Sequence, residues 1–218
     1  MLDEAATDEM QRKDALVAAL LPDVPFDGWT HAALRAAARR IAMEDGELAA
    51  LFPRGPRDAV AWFSRWADRM MLETMASRPP GELRLHERIA AALKIRLALL
   101  APHREAVRRG LSLLALPANG PLAARLLYET VDAAWYAAGD SATDFSFYSK
   151  RALLAGIHAA TTLYWLDDRS EGGAATEAFL DRRLADAGRL PRLRQEVERV
   201  LGRLPNPLRF LRTARPRM

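Results

Sequence analysis

The sequence predicts an all-α fold, and three observations carry that prediction. Apolar residues recur three and four apart along most of the 218 residues, the spacing that gives a helix one apolar side. Strong breakers separate these stretches: Phe52-Pro53-Arg54-Gly55-Pro56, Arg78-Pro79-Pro80-Gly81, Pro117-Ala118-Asn119-Gly120 and Pro205-Asn206-Pro207. One stretch, 139–165, ends in a run from Leu153 to Trp165 whose polar side chains are His158, Thr161, Thr162 and the Tyr164 hydroxyl. A helix apolar nearly all round belongs in the middle of a fold. This run falls short of the about 20 apolar residues needed to cross a bilayer.

The totals fit a globular chain, half hydrophobic and 28% charged, long enough to bury a core. With no cysteine, disulfides, a thiolate nucleophile and cysteine metal ligands are excluded. The opening MLDEAATDEM is acidic and has no apolar run, so neither a secretory signal nor an Arg-rich transit peptide is expected. The expected location is the bacterial cytoplasm, peripheral to the inner membrane. The net charge of +4 is unevenly placed. Residues 189–218 carry nine Arg against Glu196 and Glu198, a net +7, and the other 23 cations and 26 acids leave −3. A basic tail on a neutral-to-acidic body suits an anionic partner or simply solubilises the chain.

In chain order, Asp14–Leu21 completes an amphipathic helix stopped by Pro22. Asp27 or Thr30 caps the next, which carries Leu34, Ala37, Ala38 and Ile41; Glu44-Asp45-Gly46 breaks it before a short helix over 46–52. Helix, tight turn and short helix is the helix-turn-helix layout. Its chemistry is wrong for DNA. The second helix, Glu47-Leu48-Ala49-Ala50-Leu51, has no donor for a base edge, and residues 1–50 hold five cations against ten acids. Helices are then expected over 57–77, 83–100, 103–116, 121–138, the buried stretch, and 174–187 with Gly188 as its stop. Trp62 and Trp66, four apart, are expected to share a face. The tail forms a separate helix with Leu190, Leu193, Val197, Val200, Leu201 and Leu204 on one side and mostly arginines on the other. Such a helix lies in a membrane interface or packs on the body or a second copy. Phe210 and neighbouring leucines beyond Pro207 favour the membrane. The division expected is 1–55, 56–188 and 189–218.

Catalytic chemistry is not legible. His31, His86, His103 and His158 form no metal-ligand spacing, and no phosphate-cradling or dinucleotide loop is present. His158, on an apolar helix, reads as a satisfied core residue. The expectation is no enzyme, no cofactor and no metal.

The segment Gly28-Trp29-Thr30…Ala37-Ala38…Gly46-Glu47-Leu48…Leu51-Phe52-Pro53 resembles the N-terminal domain of TetR-type regulators, whose C-terminal domains often enclose ligand cavities. More specifically, Val24-Pro25-Phe26-Asp27-Gly28-Trp29, Pro102 to Arg109, Ala115-Leu116-Pro117, Arg125 to Tyr128, Val131-Asp132, Trp135, Ala138-Gly139-Asp140, Thr143-Asp144-Phe145, Tyr148, Lys150-Arg151-Ala152 and Ala178 to Arg183 resemble the coenzyme Q biosynthesis protein nine family. The likeness covers about residues 10–187.

That resemblance implies a TetR-like fold, a homodimer, binding of isoprenoid quinone intermediates or phospholipid, and membrane contact through the last helix. It also implies support of a ring hydroxylase of ubiquinone synthesis, the di-iron coenzyme Q protein seven or, in a bacterium, a flavin enzyme. The partner patch falls on Leu97, Ala134, Asp144, Phe147 and Tyr148; animal members usually have a larger apolar residue at 134 and Trp at 147. The lipid pocket is assigned to Leu93, Leu127, Val131, Trp135, Leu153, Leu154, Ile157 and Tyr164. Membrane contact is assigned to Leu193, Val197, Val200, Leu201, Leu204 and Phe210. The function expected is a lipid-binding accessory protein without a nucleic-acid partner; the alternative is a TetR-type ligand-responsive transcriptional regulator.

Overall fold

The computed structural model describes residues 2–77, 83–139 and 146–201, with side chains described except at 2–5, 146–149 and 188–201. Among them every regular element is a helix, the α-helices being α1 (Leu2–Leu20), α2 (Val24–Asp27), α3 (His31–Arg40), α4 (Asp45–Leu51), α5 (Pro56–Ala76), α6 (Leu85–Leu100), α7 (Arg104–Leu114), α8 (Gly120–Ala137), α9 (Ser146–Asp167) and α10 (Ala174–Leu201).

Local chemistry sets the ends. Thr30 caps α3, its hydroxyl accepting from the Ala33 amide at 3.1 Å. The break after α3 falls at Ala42, not at Gly46. Ala42 takes the left-handed conformation, φ 54°, and the Met43 amide donates back to Ala38 O at 2.9 Å, the pattern usually built on glycine. Gly46 instead lies inside α4. Gly139, φ 77°, follows α8 as expected. Gly188 does not stop a helix: α10 continues through it, so the expected separate tail helix is the second half of α10. Side-chain packing of that half lies outside the described residues, as does everything beyond Leu201.

The long α5 is the axle, packing against α1, α6, α7 and α8, while α9 packs on α8 and α10. Two cores form along it. The first joins Leu16, Leu20, Trp29, Leu34, Phe52, Val60 and Phe63 to Leu97, Leu100 and Trp165. It therefore takes residues from both sides of the expected 55/56 boundary. The second gathers Met71, Ile89, Leu93, Val131, Trp135, Leu154, Ile157 and Leu180. Trp62 and Trp66 do not stack together. The Trp62 indole donates to Asp14 at 2.6 Å beneath the Arg69 guanidinium, whereas Trp66 stacks on Phe63 with centroids 5.9 Å apart.

Two runs with no evident packing reason in the sequence, Val24–Trp29 and Pro102–Arg109, meet in space. Trp29 Nε1 donates to Ala106 O at 2.9 Å, and Arg109 donates to Pro25 O at 2.7 Å. On the other side of α7, Arg108 donates to Leu166 O at 2.7 Å and Arg104 lies 4.8 Å over the Trp165 ring. This one helix ties the N-terminal helices to the end of α9.

Candidate functional site: an apolar cavity with a polar floor

A cavity of about 440 Å³ lies between α5, α6, α7, α8 and α9, a size typical of small-molecule sites. Helix α7 packs against α5 at Gly110, where a Cβ would make ordinary contacts, 3.5 Å to the Trp29 indole nitrogen and 3.6 Å to Val60. Leu100, Leu111, Leu114, Leu126 and Leu127 make the walls. Exposed Ala115, Ala124 and Leu163 mark the rim, whereas Val60, Phe63, Arg96, Thr130 and His158 are buried at the floor.

The floor is polar yet carries no net charge from its ion pair. Arg96 Nε donates to Asp68 Oδ1 at 2.6 Å, and its Nη2 reaches Ser64 Oγ at 3.0 Å; Thr130 donates to the other Asp68 oxygen at 3.1 Å. Both ions are buried, so each depends on the other for compensation. His158 is 5% exposed, and burial, with Arg96 adding repulsion, pushes its pKa down to about 3. It is neutral at ordinary pH. It is a core residue, as expected, but not a satisfied one: Nδ1 is buried without a hydrogen-bond partner. The carboxylate that would orient a catalytic imidazole is thus not at Nδ1. Among the described residues no three His, Asp or Glu side chains group as metal ligands. The arrangement suits holding a largely apolar molecule.

The residues assigned to the pocket from sequence separate into three groups. Leu127 lines the cavity. Leu93, Val131, Trp135, Leu154 and Ile157 come together, but in the second core, not on the cavity lining. Leu153 and Tyr164 are at the surface, 41% and 42% exposed, with Tyr164 stacked on Phe179 at 4.7 Å. Their helix presents them away from the core, a choice its all-round apolar character conceals. Of the partner patch, Leu97 and Ala134 are buried in the two cores and unavailable to a partner in this arrangement. Asp144 and the side chains of Phe147 and Tyr148 lie outside the described residues. Leu193, Val197, Val200 and Leu201 fall on α10 with side chains outside the description, and Leu204 and Phe210 lie beyond it.

Sequence reasoning missed Ser64, Arg96, Thr130 and the floor they make with Asp68. A signal existed: Arg96 occupies an apolar register with Ile89, Leu93 and Leu100 on α6, and Asp68 does so with Val60 and Met71 on α5. Polar residues in core registers mark buried networks or sites.

Among the described residues, fold and cavity together define a TetR-like, all-helical protein with an apolar-walled cavity. The TetR transcriptional regulator from Nitrosomonas europaea ATCC 19718 superposes with a TM-score of 0.68 over 82% of this chain and 98% of its own, at 24% identity, which establishes the fold alone. The COQ9 family model matches residues 120–191. The rat mitochondrial ubiquinone biosynthesis protein COQ9 is 30% identical over 203 residues, 90% of this chain, and the human protein 29% over the same span. This chain covers 65% and 64% of those two relatives, and 60% of the Xenopus tropicalis protein at 30% identity. The resemblance read from the sequence is borne out, and the chain is a homologue of the COQ9 proteins.

Proposed function

We propose that this protein is a lipid-binding accessory protein of ubiquinone biosynthesis that holds an isoprenoid intermediate and presents it to a ring hydroxylase at the membrane. The observation that carries the reading is the leucine-walled cavity of about 440 Å³ in a COQ9 homologue. Burial of each isoprene methyl or methylene contributes about 0.8 kcal/mol, so a short buried tail needs no charged anchor. The helix-turn-helix-like module supports an accessory role over DNA binding: α4 has seven residues, and its side chains include no base-reading donor. Gentle purification, lipid extraction and mass spectrometry test the reading. A co-purifying isoprenoid or quinone is expected; protein free of any lipid would refute it.

The membrane surface is reached through the second half of α10 and the arginine-rich residues after it. Among the described residues no helix is long and apolar enough to cross a membrane. Replacing Leu193, Val197 and Val200 with Ser in the full chain is expected to abolish flotation with anionic liposomes; unchanged flotation would assign those residues to packing. The hydroxylase is taken to meet the start of α9, around Asp144, Phe147 and Tyr148, and the working unit is a homodimer.

A further inference from the structure

The corner between α7 and α8 is built unlike an ordinary surface turn. From Gly110 to Ala124 fifteen consecutive residues carry no charged side chain, and an arginine stands at each end, Arg109 and Arg125. Turns in water usually show polar side chains. Here Asn119, the polar side chain of the turn itself, is 4% exposed and donates inward to Leu113 O at 2.8 Å. What the corner exposes is apolar: Ala115, Leu116, Pro117, Ala118, Pro121 and Ala124. Leu116, the bulkiest of them, is 53% exposed. A contiguous apolar surface of this kind marks a contact site. It also borders the cavity. Ala115 before the turn and Ala123 and Ala124 after it line that cavity, so the turn joins two stretches of the rim.

Charge is ordered along both helices. On α7 Arg109 pairs with Glu105 at 3.2 Å, and on α8 Arg125 pairs with Glu129 at 2.8 Å. In each pair the arginine stands one turn nearer the corner than its acid. The apolar tip is therefore followed first by cations and only then by carboxylates. This order complements an anionic lipid surface, whose hydrocarbon takes the tip and whose headgroups meet the arginines. A second copy offering the same corner would set arginine against arginine.

We propose that the α7–α8 corner inserts into an anionic bilayer and seats the cavity's mouth on the membrane, so that a lipid tail passes between bilayer and cavity without crossing water. The cargo rests on the lipid-carrier reading above; the corner is a membrane contact separate from α10.

The chain has no cysteine, so Leu116→Cys in the full chain carries a single environment-sensitive NBD label, with Ala50→Cys in the acidic N-terminal helices as the reference. The test surface is a vesicle of equal parts phosphatidylglycerol and phosphatidylcholine. On it the label at 116 is expected to shift to the blue and to be quenched by spin-labelled acyl chains, while the label at 50 stays in water. In the unlabelled chain Leu116→Glu changes an exposed side chain and leaves the melting temperature unchanged. It is expected to weaken vesicle binding about tenfold. Arg125→Gln weakens it about fivefold, and Glu129 keeps Arg65 as a partner. Uptake of farnesol from the same vesicles is followed in parallel and is expected to slow in Leu116→Glu. A label at 116 that stays in water while farnesol is taken up overturns the corner's role and leaves the carrier reading intact. A label buried in the bilayer without any farnesol uptake supports the corner and refutes the carrier reading. A blue shift without vesicles that grows with protein concentration assigns the corner to a second copy and overturns the proposal.

Discussion

The two cores along α5 are built differently. The first is fastened by directional bonds: Trp29 to Ala106 O, Arg109 to Pro25 O, Arg108 to Leu166 O, and Trp62 to Asp14. In the second, the large aromatic Trp135 is buried among aliphatic side chains with its indole nitrogen unpaired. The cavity lies where these regimes meet, with Val60 and Phe63 of the first core on its lining and Leu127, which packs on the second, opposite. The directional bonds of the first fix how α7 and α9 sit; around the second, ion pairs at its edge, Arg151 to Asp132 and Lys94 to Asp181, both at 2.8 Å, hold the helices.

Several substitutions break or sharpen that contrast. The largest effect is expected at the seam. Arg96→Met leaves Asp68 buried with Thr130 as its remaining side-chain partner, and removing one member of such a pair costs about 3–5 kcal/mol. Pairing it with Asp68→Leu is expected to recover most of that loss in chemical denaturation. If the single variant is as stable as the wild type, the pair does not organise the floor.

Acid comes next. His158 binds its proton in the unfolded chain near pH 6.5 but in the folded chain only near 3. Its contribution is therefore whole above pH 6.5, and stability falls as pH drops from there toward 3, by on the order of 1 kcal/mol per pH unit in the middle of that range. Thermal melts between pH 7.5 and 4.5 should show this slope, and His158→Leu should flatten it. Asp168 acts at lower pH. Hydrogen bonds from the Thr176 hydroxyl and from Ser170 hold its carboxyl far below the usual carboxylate range, so the stability it lends at the start of α10 is lost only as pH falls below about 4.

A smaller comparison sets one tryptophan against another. Trp29→Phe removes a made, buried hydrogen bond to Ala106 O, which keeps its helical partner, whereas Trp135→Phe removes a donor that has no partner. The first should cost about 1–2 kcal/mol more than the second. Equal losses in urea titrations would mean that the directional bonds of the first core contribute nothing special. The smallest effect is expected at exposed Ala42. Its φ of 54° is one glycine takes freely, so Ala42→Gly should stabilise by about 1 kcal/mol.

Much of the fold was legible because proline, glycine and apolar spacing act locally. Thr30 and Gly139 end helices where their chemistry says they should. The misses arose where tertiary context decides. Ala42 is forced into a glycine's conformation while Gly46 sits quietly in a helix, and α10 runs through Gly188. For the site, the all-round apolar α9 was read as cavity wall, but such a helix has no stripe from which to tell Ile157 in the core from Leu153 at the surface. Leu127 was found; the floor was not, because Arg96 and Asp68 look like surface charges until their register is counted. The meeting of Trp29 with α7 was beyond reach, since 77 residues of chain separate the two bonded partners.

The proposed function requires that lipid reside in this cavity. Native mass spectrometry of the gently isolated full chain, beside Ala159→Phe, which fills the cavity from α9, tests that most directly. A lipid adduct is expected on the wild-type chain and absent from the variant. An equal adduct on both chains, or none on either, would contradict it.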